Sequence, residues 1–255
     1  MKPLITALFA LVAGILPLSA GTHPPATDVI TPTEPASDWR CRVALYGFAE
    51  SLGGDVSAAG ISTPLEMDFD EILDHLDYAV MGAMEIGHGR WSVLADAFYA
   101  KLSASADTPF GFVADELDIE LKQLVGHLVV GYEVARTECV TFGVYGGARV
   151  NWIELNLDLA SEERSADKCW VDPIIGARFQ AELSDSFFFR AIGDVGGFGV
   201  SSDFTWQAMA GFGYRFNESC SLLLTYRAIG TDYTDGGFTY DIVAKGPFLG
   251  LEFYF

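Results

Sequence analysis

Basic residues are scarce in this sequence. Fifteen Lys and Arg stand against 35 Asp and Glu, which gives a formal net charge of −20. Nucleic-acid binding needs a basic surface that neutralises phosphates. The composition therefore argues against a nucleic-acid partner and indicates a surface rich in acidic loops.

Long apolar runs are missing after the N-terminus. Residues 1–20, MKPLITALFALVAGILPLSA, have the pattern of a secretory signal peptide, with cleavage expected after Ala20 or after Gly21. Residues 21–38 contain four prolines and no periodicity, which predicts a flexible periplasmic leader. Beyond them no run reaches the ~18 apolar residues of a membrane helix. Such a chain enters a membrane only as a closed barrel.

The usual signals of catalysis and metal binding are also lacking. The sequence has four histidines, no Gly-x-Ser-x-Gly motif and no metal-ligand spacing. We predict no enzymatic activity, no cofactor and no metal. His127 lies in the middle of a strand, where we expect it to face the lumen near Gln123 or Glu133. Disulfide pairing and free thiols both remain open for the four cysteines, Cys41, Cys139, Cys169 and Cys220.

Strict two-residue periodicity is what the sequence does contain. Apolar residues occupy every second position from Phe204 to Phe216, which predicts a strand with two unlike faces. We expect an all-β, antiparallel up-and-down transmembrane barrel over 39–255. Eight or twelve strands are alternatives, because an extra hairpin fits 56–67 and Gly246-Pro247 interrupts the last run. The ten predicted strands cover roughly 39–50, 77–87, 90–103, 117–135, 138–157, 169–183, 186–198, 203–216, 219–232 and 238–255.

Short and long connections alternate along the chain. Tight polar turns are predicted at 87–90, 136–139, 183–186 and 216–219, and longer, mostly acidic loops lie between them, as in outer-membrane barrels. Residues 68–77 have helical spacing, with Asp68 and Glu71 placed to cap a helix. We expect a short helix in the first external loop, either packed on the barrel rim or acting as a gate. The acidic loops are read as solvated surface or as sites for divalent cations.

The apolar face is predicted to meet lipid. Its aromatic residues lie towards strand ends, as in the interfacial girdles of membrane barrels, and the opposite face is rich in glycine, which suits a crowded interior. The lumen then holds nearly balanced charges that must pair, either as a plug or around a polar conduit. These charges are Glu85, Asp96, Glu133, Arg149, Asp172, Arg178, Arg190, Asp194, Arg215, Arg227 and Glu252.

Two of these charges, Arg190 and Asp194, lie on the same strand face. Four residues separate them, so they are about 13 Å apart and too distant to pair with each other. Each must find a partner on another strand. The candidates nearest in strand order are Asp172, Arg178, Arg215 and Arg227.

Five segments of the sequence have a familiar pattern: 68–99, WVDPIIGARF (170–179), GDVGGFGVSSDFTWQAMAGFGYRF (193–216), YRAIGTDY (226–233) and GPFLGLEFYF (246–255). They resemble a group of uncharacterised bacterial outer-membrane β-barrel proteins, loosely akin to the outer membrane protein A-like and W-like small barrels. The resemblance implies the outer membrane of a Gram-negative-type bacterium as the location. For an integral barrel in this membrane we expect outer-membrane lipid and lipopolysaccharide as partners. The resemblance also implies that Phe253 and Phe255 form a signal read by the barrel-assembly machinery.

The expected function is that of an integral outer-membrane barrel with a largely plugged polar lumen and a structural or surface-interaction role. A narrow transporter for small solutes or apolar molecules is the alternative. A lipid-active outer-membrane enzyme is the third possibility. The sequence leaves the oligomeric state open.

Overall fold

A computed structural model describes residues 39–58, 61–107, 116–159 and 162–255. The predicted signal peptide and leader lie outside these residues. The described chain forms β1 (Trp39–Phe48), β2 (Ser51–Ala58), β3 (Ile61–Met67), α1 (Phe69–Asp74), β4 (Leu76–His88), β5 (Trp91–Asp107), β6 (Glu116–Arg136), β7 (Val140–Leu159), β8 (Glu162–Glu182), β9 (Phe187–Gly196), β10 (Phe204–Asn217), β11 (Cys220–Asp235) and β12 (Phe238–Tyr254). In these ranges, no helix has the length and apolar character needed to cross a membrane.

The strands close into one antiparallel barrel. Each strand from β4 to β12 pairs with the next in sequence, and β1 pairs with both β4 and β12. Strand β2 continues β1 along β12 in unchanged register, since Phe48 lies opposite Phe248 and Ser51 opposite Lys245. Together β1 and β2 form one wall strand, so the barrel has ten strands, as predicted.

Two details of the predicted strands are resolved. The extra hairpin exists, with Ala58 opposite Ile61, but β3 hydrogen-bonds only to β2 among the described strands and adds no strand to the closed barrel. The Gly246-Pro247 pair does not break the last strand, because β12 runs unbroken from Phe238 to Tyr254. Neither the eight-strand nor the twelve-strand barrel is therefore formed.

The predicted rim helix is present and shorter than expected. It ends at Asp74, and β4 begins at Leu76. Asp68 occupies the N-cap position but makes no side-chain cap hydrogen bond, so that part of the prediction is wrong. Of the apolar residues predicted to pack on the rim, Ile72 is buried, whereas Leu73 is 52% exposed, and the helix contacts β2.

The two faces of the strands differ as the period-two pattern predicts. In β12, Leu249 is 53% exposed and Leu251 is 42% exposed, whereas Glu252 is only 2% exposed. A soluble barrel would bury the apolar side chains and expose the charged ones. The outward apolar surface is bounded by aromatic contacts at both ends, such as Trp91–Tyr132 at 4.8 Å and Tyr99–Trp152 at 6.5 Å. This surface is the lipid-facing band of a transmembrane barrel.

The strands of the barrel wall differ greatly in length. Strand β9 has 10 residues and strand β8 has 21. With a rise of ~3.3 Å per residue and a tilt of ~40°, these strands reach heights of roughly 25 Å and roughly 53 Å. The apolar band of an outer-membrane barrel is only about 25 Å tall. The wall formed by β5 to β8, here called the tall wall, therefore extends past the band at the end opposite the tight turns.

The lipid-facing assignment predicts a position-dependent cost for a charge. Phe212 lies on the outward face of β10 and is 58% exposed. We expect Phe212→Lys to destabilise the folded barrel by about 2–4 kcal/mol, because the ammonium group would lie in the lipid core. The measurement is reversible urea unfolding in lipid bilayers, followed by tryptophan fluorescence.

Val200→Lys is the matched control for this experiment. Val200 is 69% exposed and lies in the turn between β9 and β10, at the end of the band. We expect little change in unfolding free energy for this variant. Equal costs at the two positions would contradict the placement of the lipid-facing band.

Candidate functional site

A closed ring of six hydrogen-bonded side chains occupies the middle of the lumen. We call it the central ring. Its members come from six strands, β5, β6, β7, β9, β10 and β11. In order around the ring, the contacts are Asp96–His127 (3.1 Å), His127–Arg149 (2.8 Å), Arg149–Asp194 (2.6 Å), Asp194–Gln207 (3.1 Å), Gln207–Arg227 (2.6 Å) and Arg227–Asp96 (3.4 Å).

Further hydrogen bonds brace the central ring from outside. The Tyr46 hydroxyl donates to Asp96 at 2.6 Å, and the Tyr145 hydroxyl donates to Asp194 at 2.9 Å. The side chains of Arg149 and Asp194 are completely buried. The ring contains two carboxylates and two guanidinium groups, so its charges balance. Each buried charge therefore has an opposite charge within hydrogen-bonding distance, which its desolvation requires.

A second network lies nearer the tight turns. Here Arg42 bridges two carboxylates, Glu85 at 2.6 Å and Glu252 at 2.5 Å. Glu85 also pairs with Arg178, and Glu252 with Arg190 at 2.5 Å. This lower network joins β1, β4, β8, β9 and β12. With the central ring, it connects all ten strands of the barrel wall through side chains.

Most of the predicted lumen charges belong to these two networks. Glu133 and Arg215 lie closer to the rim, where Glu133 pairs with Arg40 at 3.3 Å and with Arg136 at 2.7 Å, and Arg215 pairs with Glu182 at 3.1 Å. Sequence patterns alone did not single out Arg42, although it shares the lumen-facing side of β1 with Tyr46. Gln207 was overlooked because it carries no charge.

The partners proposed for Arg190 and Asp194 are wrong. Arg190 pairs with Glu252, and Asp194 pairs with Arg149. Asp172 faces inward but accepts hydrogen bonds from the Ser202 amide at 2.8 Å and the Ser202 hydroxyl at 2.7 Å. Asp172 is thus held by the turn between β9 and β10. Its directly opposite neighbour Arg149 is therefore free to reach Asp194.

Two cavities of very different size lie on either side of the central ring. The lower chamber has a volume of about 550 Å³ and extends from the ring to residues at the tight-turn end, such as Arg136 and Arg215. The upper pocket has a volume of about 30 Å³, enough for one or two water molecules. Above this level, the rings of Trp170 and Tyr233 stack at 4.2 Å inside the barrel.

The lumen histidine is not free to act as a base. His127 contacts Asp96 through Nδ1 and accepts a hydrogen bond from the Arg149 guanidinium at Nε2. Because Nε2 accepts, the ring proton resides on Nδ1 and is donated to Asp96. The prediction that His127 lies near Gln123 or Glu133 is therefore corrected to Asp96 and Arg149. Among the described residues, no cluster of three or more His, Cys, Asp or Glu suits a metal ion, and all four cysteines are free thiols.

A ladder of charges lies on the outer face of the tall wall, beyond the Tyr99–Trp152 contact. Lys101 pairs with Glu120 at 2.7 Å, and Lys122 pairs with Glu120 and with Glu154, both at 3.0 Å. Hydrogen bonds from Lys101 first and Lys122 second lower the pKa of Glu120 to about 2. The hydrogen bond with Glu120, followed by the one with Asp77, raises the pKa of Lys101. This charged surface lies outside the lipid-facing band.

Comparison with known proteins identifies the fold. The chain matches no protein-family model and no curated protein sequence. It is similar to the outer membrane protease OmpT from Escherichia coli, with a TM-score of 0.52 and 11% identity over 86% of this chain and 97% of that one. The fold is that of an outer-membrane β-barrel. Other matches are Ail of Yersinia pestis (TM-score 0.38, 10% identity, 85% and 98% covered) and a Pseudomonas aeruginosa FadL homologue (0.27, 9%, 85% and 89%).

The central ring predicts strong coupling between Arg149 and Asp194. We expect Arg149→Met alone to cost about 3–5 kcal/mol, because it leaves the Asp194 carboxylate buried without a partner. Adding Asp194→Leu should recover part of this loss. A double-mutant cycle on unfolding free energies measures the coupling. The matched cycle of Arg190→Met with Asp172→Leu should show additive effects, since these two side chains do not pair, and equal coupling in both cycles would contradict the assigned partners.

The charge ladder predicts an acid-shifted titration at Glu120. The pKa of Glu120 in the folded protein is lowered to about 2. The ionised carboxylate therefore stabilises the folded barrel at pH values above the ordinary pKa of glutamate. That contribution is lost as the pH falls towards 2. Carboxyl carbon shifts in an NMR titration measure the folded-state value. Lys101→Met should raise the pKa of Glu120, and identical titrations in both proteins would show that Lys101 is not its principal partner.

Proposed function

We propose that this protein is an integral outer-membrane barrel with a plugged lumen, which serves as a structural element and presents the tall wall for interactions at the cell surface. The observation that carries the proposal is the central ring, which closes across the lumen through six side chains. The export of the chain through residues 1–20 and its residence in the outer membrane are parts of the same proposal.

The physical argument for a plug is the cost of opening the ring. A solute that crosses the lumen has to separate charged partners such as Arg149 and Asp194, whose side chains are fully buried. Each uncompensated buried charge costs several kcal/mol. The ring has no net charge, so it offers a passing solute no electrostatic attraction that would offset this cost. The ring therefore favours a barrel that is held shut.

The tall wall supports a role in surface interactions. It rises beyond the lipid-facing band and carries the charge ladder of Lys101, Glu120, Lys122 and Glu154 on its outer face. These side chains lie next to the aromatic girdle, just outside the lipid-facing band. We therefore propose lipopolysaccharide and outer-membrane lipid as the immediate neighbours of this wall.

The last strand supports recognition by the barrel-assembly machinery. Phe253 and Phe255 are both exposed, at 36% and 80%. In register, Phe253 lies opposite Val43, so both aromatic side chains stand beside the seam where β12 meets β1. We propose that they form the assembly signal, and that the protein belongs with the small barrels of the outer membrane protein A-like and W-like type.

A narrow transporter is the second candidate. The lower chamber of about 550 Å³ favours it, because a fully packed lumen would need no such volume. The lipid-active enzyme has less support, since both ring nitrogens of His127 are already engaged.

Planar-bilayer recordings distinguish the plug from the transporter. We expect the refolded protein to show no steady conductance, and the Arg149→Ala/Asp194→Ala double variant to conduct ions because the ring is broken. Folding is checked by the shift in gel mobility between unboiled and boiled samples. A large, steady conductance of the unaltered, correctly folded protein would replace the plugged barrel with the transporter.

A further inference from the structure

Arg227 lies at the boundary between the two cavities. It lines the lower chamber and also the upper pocket, and no other described residue lines both. Its guanidinium group packs near the Phe48 ring, 5.8 Å from the ring centre. Arg227 is therefore the described residue that borders both cavities.

Two partners hold Arg227 in the central ring: Gln207 accepts hydrogen bonds from it at 2.6 Å and 3.0 Å, whereas its contact with Asp96 is the longest in the ring. Its Nη2 atom lies 3.4 Å from Asp96 Oδ1, whereas every other neighbouring pair in the ring has a contact of 3.1 Å or less. Hydrogen bonds to carboxylates usually have heavy-atom distances near 2.7–2.9 Å. Asp96 is also engaged by His127 and by Tyr46, so it is shared among three donors.

The upper pocket contains polar groups without hydrogen-bond partners among the described residues. Glu50 lines this pocket and is only 8% exposed; its carboxylate interacts electrostatically with Arg227, and no hydrogen bond or ion pair joins it to a described residue. The Asn151 amide nitrogen in the same pocket is buried and also lacks a hydrogen-bond partner. Buried charges of native proteins nearly always have partners, so Glu50 favours a cation that can reach it, and Arg227 is a cation that lines the same pocket.

Arg227 and Glu50 flank the same residue of β12. Arg227 lies opposite Gly246 on one side, and the continuous β1–β2 register places Glu50 opposite Gly246 on the other. The two backbones are therefore about 10 Å apart, two strand spacings. Gly246 has no side chain to separate them. A long arginine and a glutamate can close this distance together.

We propose that Arg227 has two binding positions: a lower one in the central ring, on Asp96 and Gln207, and an upper one on Glu50. In the lower position, Arg227 separates the cavities. In the upper position, it opens the ring beside Asp96 and joins the lower chamber to the upper pocket, which admits water and small ions to Glu50. The inference rests on the plugged barrel and makes Arg227 its movable part.

Removal of the lower charge tests the two positions directly. A guanidinium group stays protonated, so in Asp96→Asn it loses its carboxylate partner in the ring, and Glu50 is the carboxylate in the adjoining pocket that has no ion pair. We expect the crystal structure of this variant to place Arg227 within hydrogen-bonding distance of Glu50, about 3 Å. In the control variant Glu50→Gln, Arg227 should stay in the ring. Arg227 still on Gln207 in Asp96→Asn, with Glu50 unpaired, would overturn the proposal.

Accessibility of the upper pocket gives an independent readout. Thr231 lines this pocket, and Thr231→Cys in a background with the four native cysteines changed to serine provides a reactive thiol. The probe is the silver ion, which is close to water in size. We expect silver to react several-fold faster in the presence of Asp96→Asn than of Glu50→Gln. Equal rates in the two backgrounds would refute the connection between the cavities.

Two further comparisons keep the outcome unambiguous. Asp96→Asn is unfolded if it loses its gel mobility shift, and Gln207→Leu is then tested in its place. Gln207→Leu removes the other contact of the lower position and leaves all ring charges unchanged. We expect the same movement of Arg227 in this variant. Steady conductance of the unaltered protein would contradict the plugged lumen. Failure of Arg227 to move would contradict only the two positions.

Discussion

The pairing of charge inside the lumen is the constraint on which the rest of this structure depends. An outward apolar face leaves the polar side chains nowhere to go but the barrel interior, where water is limited. Arg149 and Asp194 show the consequence most clearly, since neither side chain touches solvent. The lumen therefore contains the central ring and the lower network, to which every wall strand contributes a side chain. These side-chain networks hold the wall together from inside, in addition to the backbone hydrogen bonds between strands.

The same constraint divides the interior into functional zones. The central ring separates a spacious chamber on the tight-turn side from a small pocket on the other. Lipid contact is confined to a band that the short strand β9 matches in height, while the tall wall continues past it. We therefore expect the tall wall to contact molecules outside the membrane. Within the lumen, we expect movement only of side chains that have a second binding partner within reach. Arg227 meets that condition because of Glu50.

Period-two alternation predicted most of the fold from sequence, and the reason is physical. A one-residue shift of register would exchange the lipid and lumen faces, so the pattern is unambiguous wherever one face is aromatic. The alternation did not predict which lumen side chains form ion pairs or hydrogen bonds with each other across the barrel. Asp172 lies opposite Arg149 in β7 and β8, yet Ser202 in a distant turn takes the carboxylate. Strand order predicts neighbours, but it does not show how far a flexible arginine reaches.

The lower network joins the two ends of the chain. Arg42 and Glu252 are separated by 210 residues in sequence, and they meet only when β1 pairs with β12. Until that seam forms, Glu252 lacks Arg42 and Arg42 lacks one of its two carboxylates. Completion of the barrel and satisfaction of its interior charges are thus a single event. An open, partly inserted sheet keeps an electrostatic penalty, so the final strand pairing is reinforced by the chemistry of the lumen as well as by its backbone hydrogen bonds.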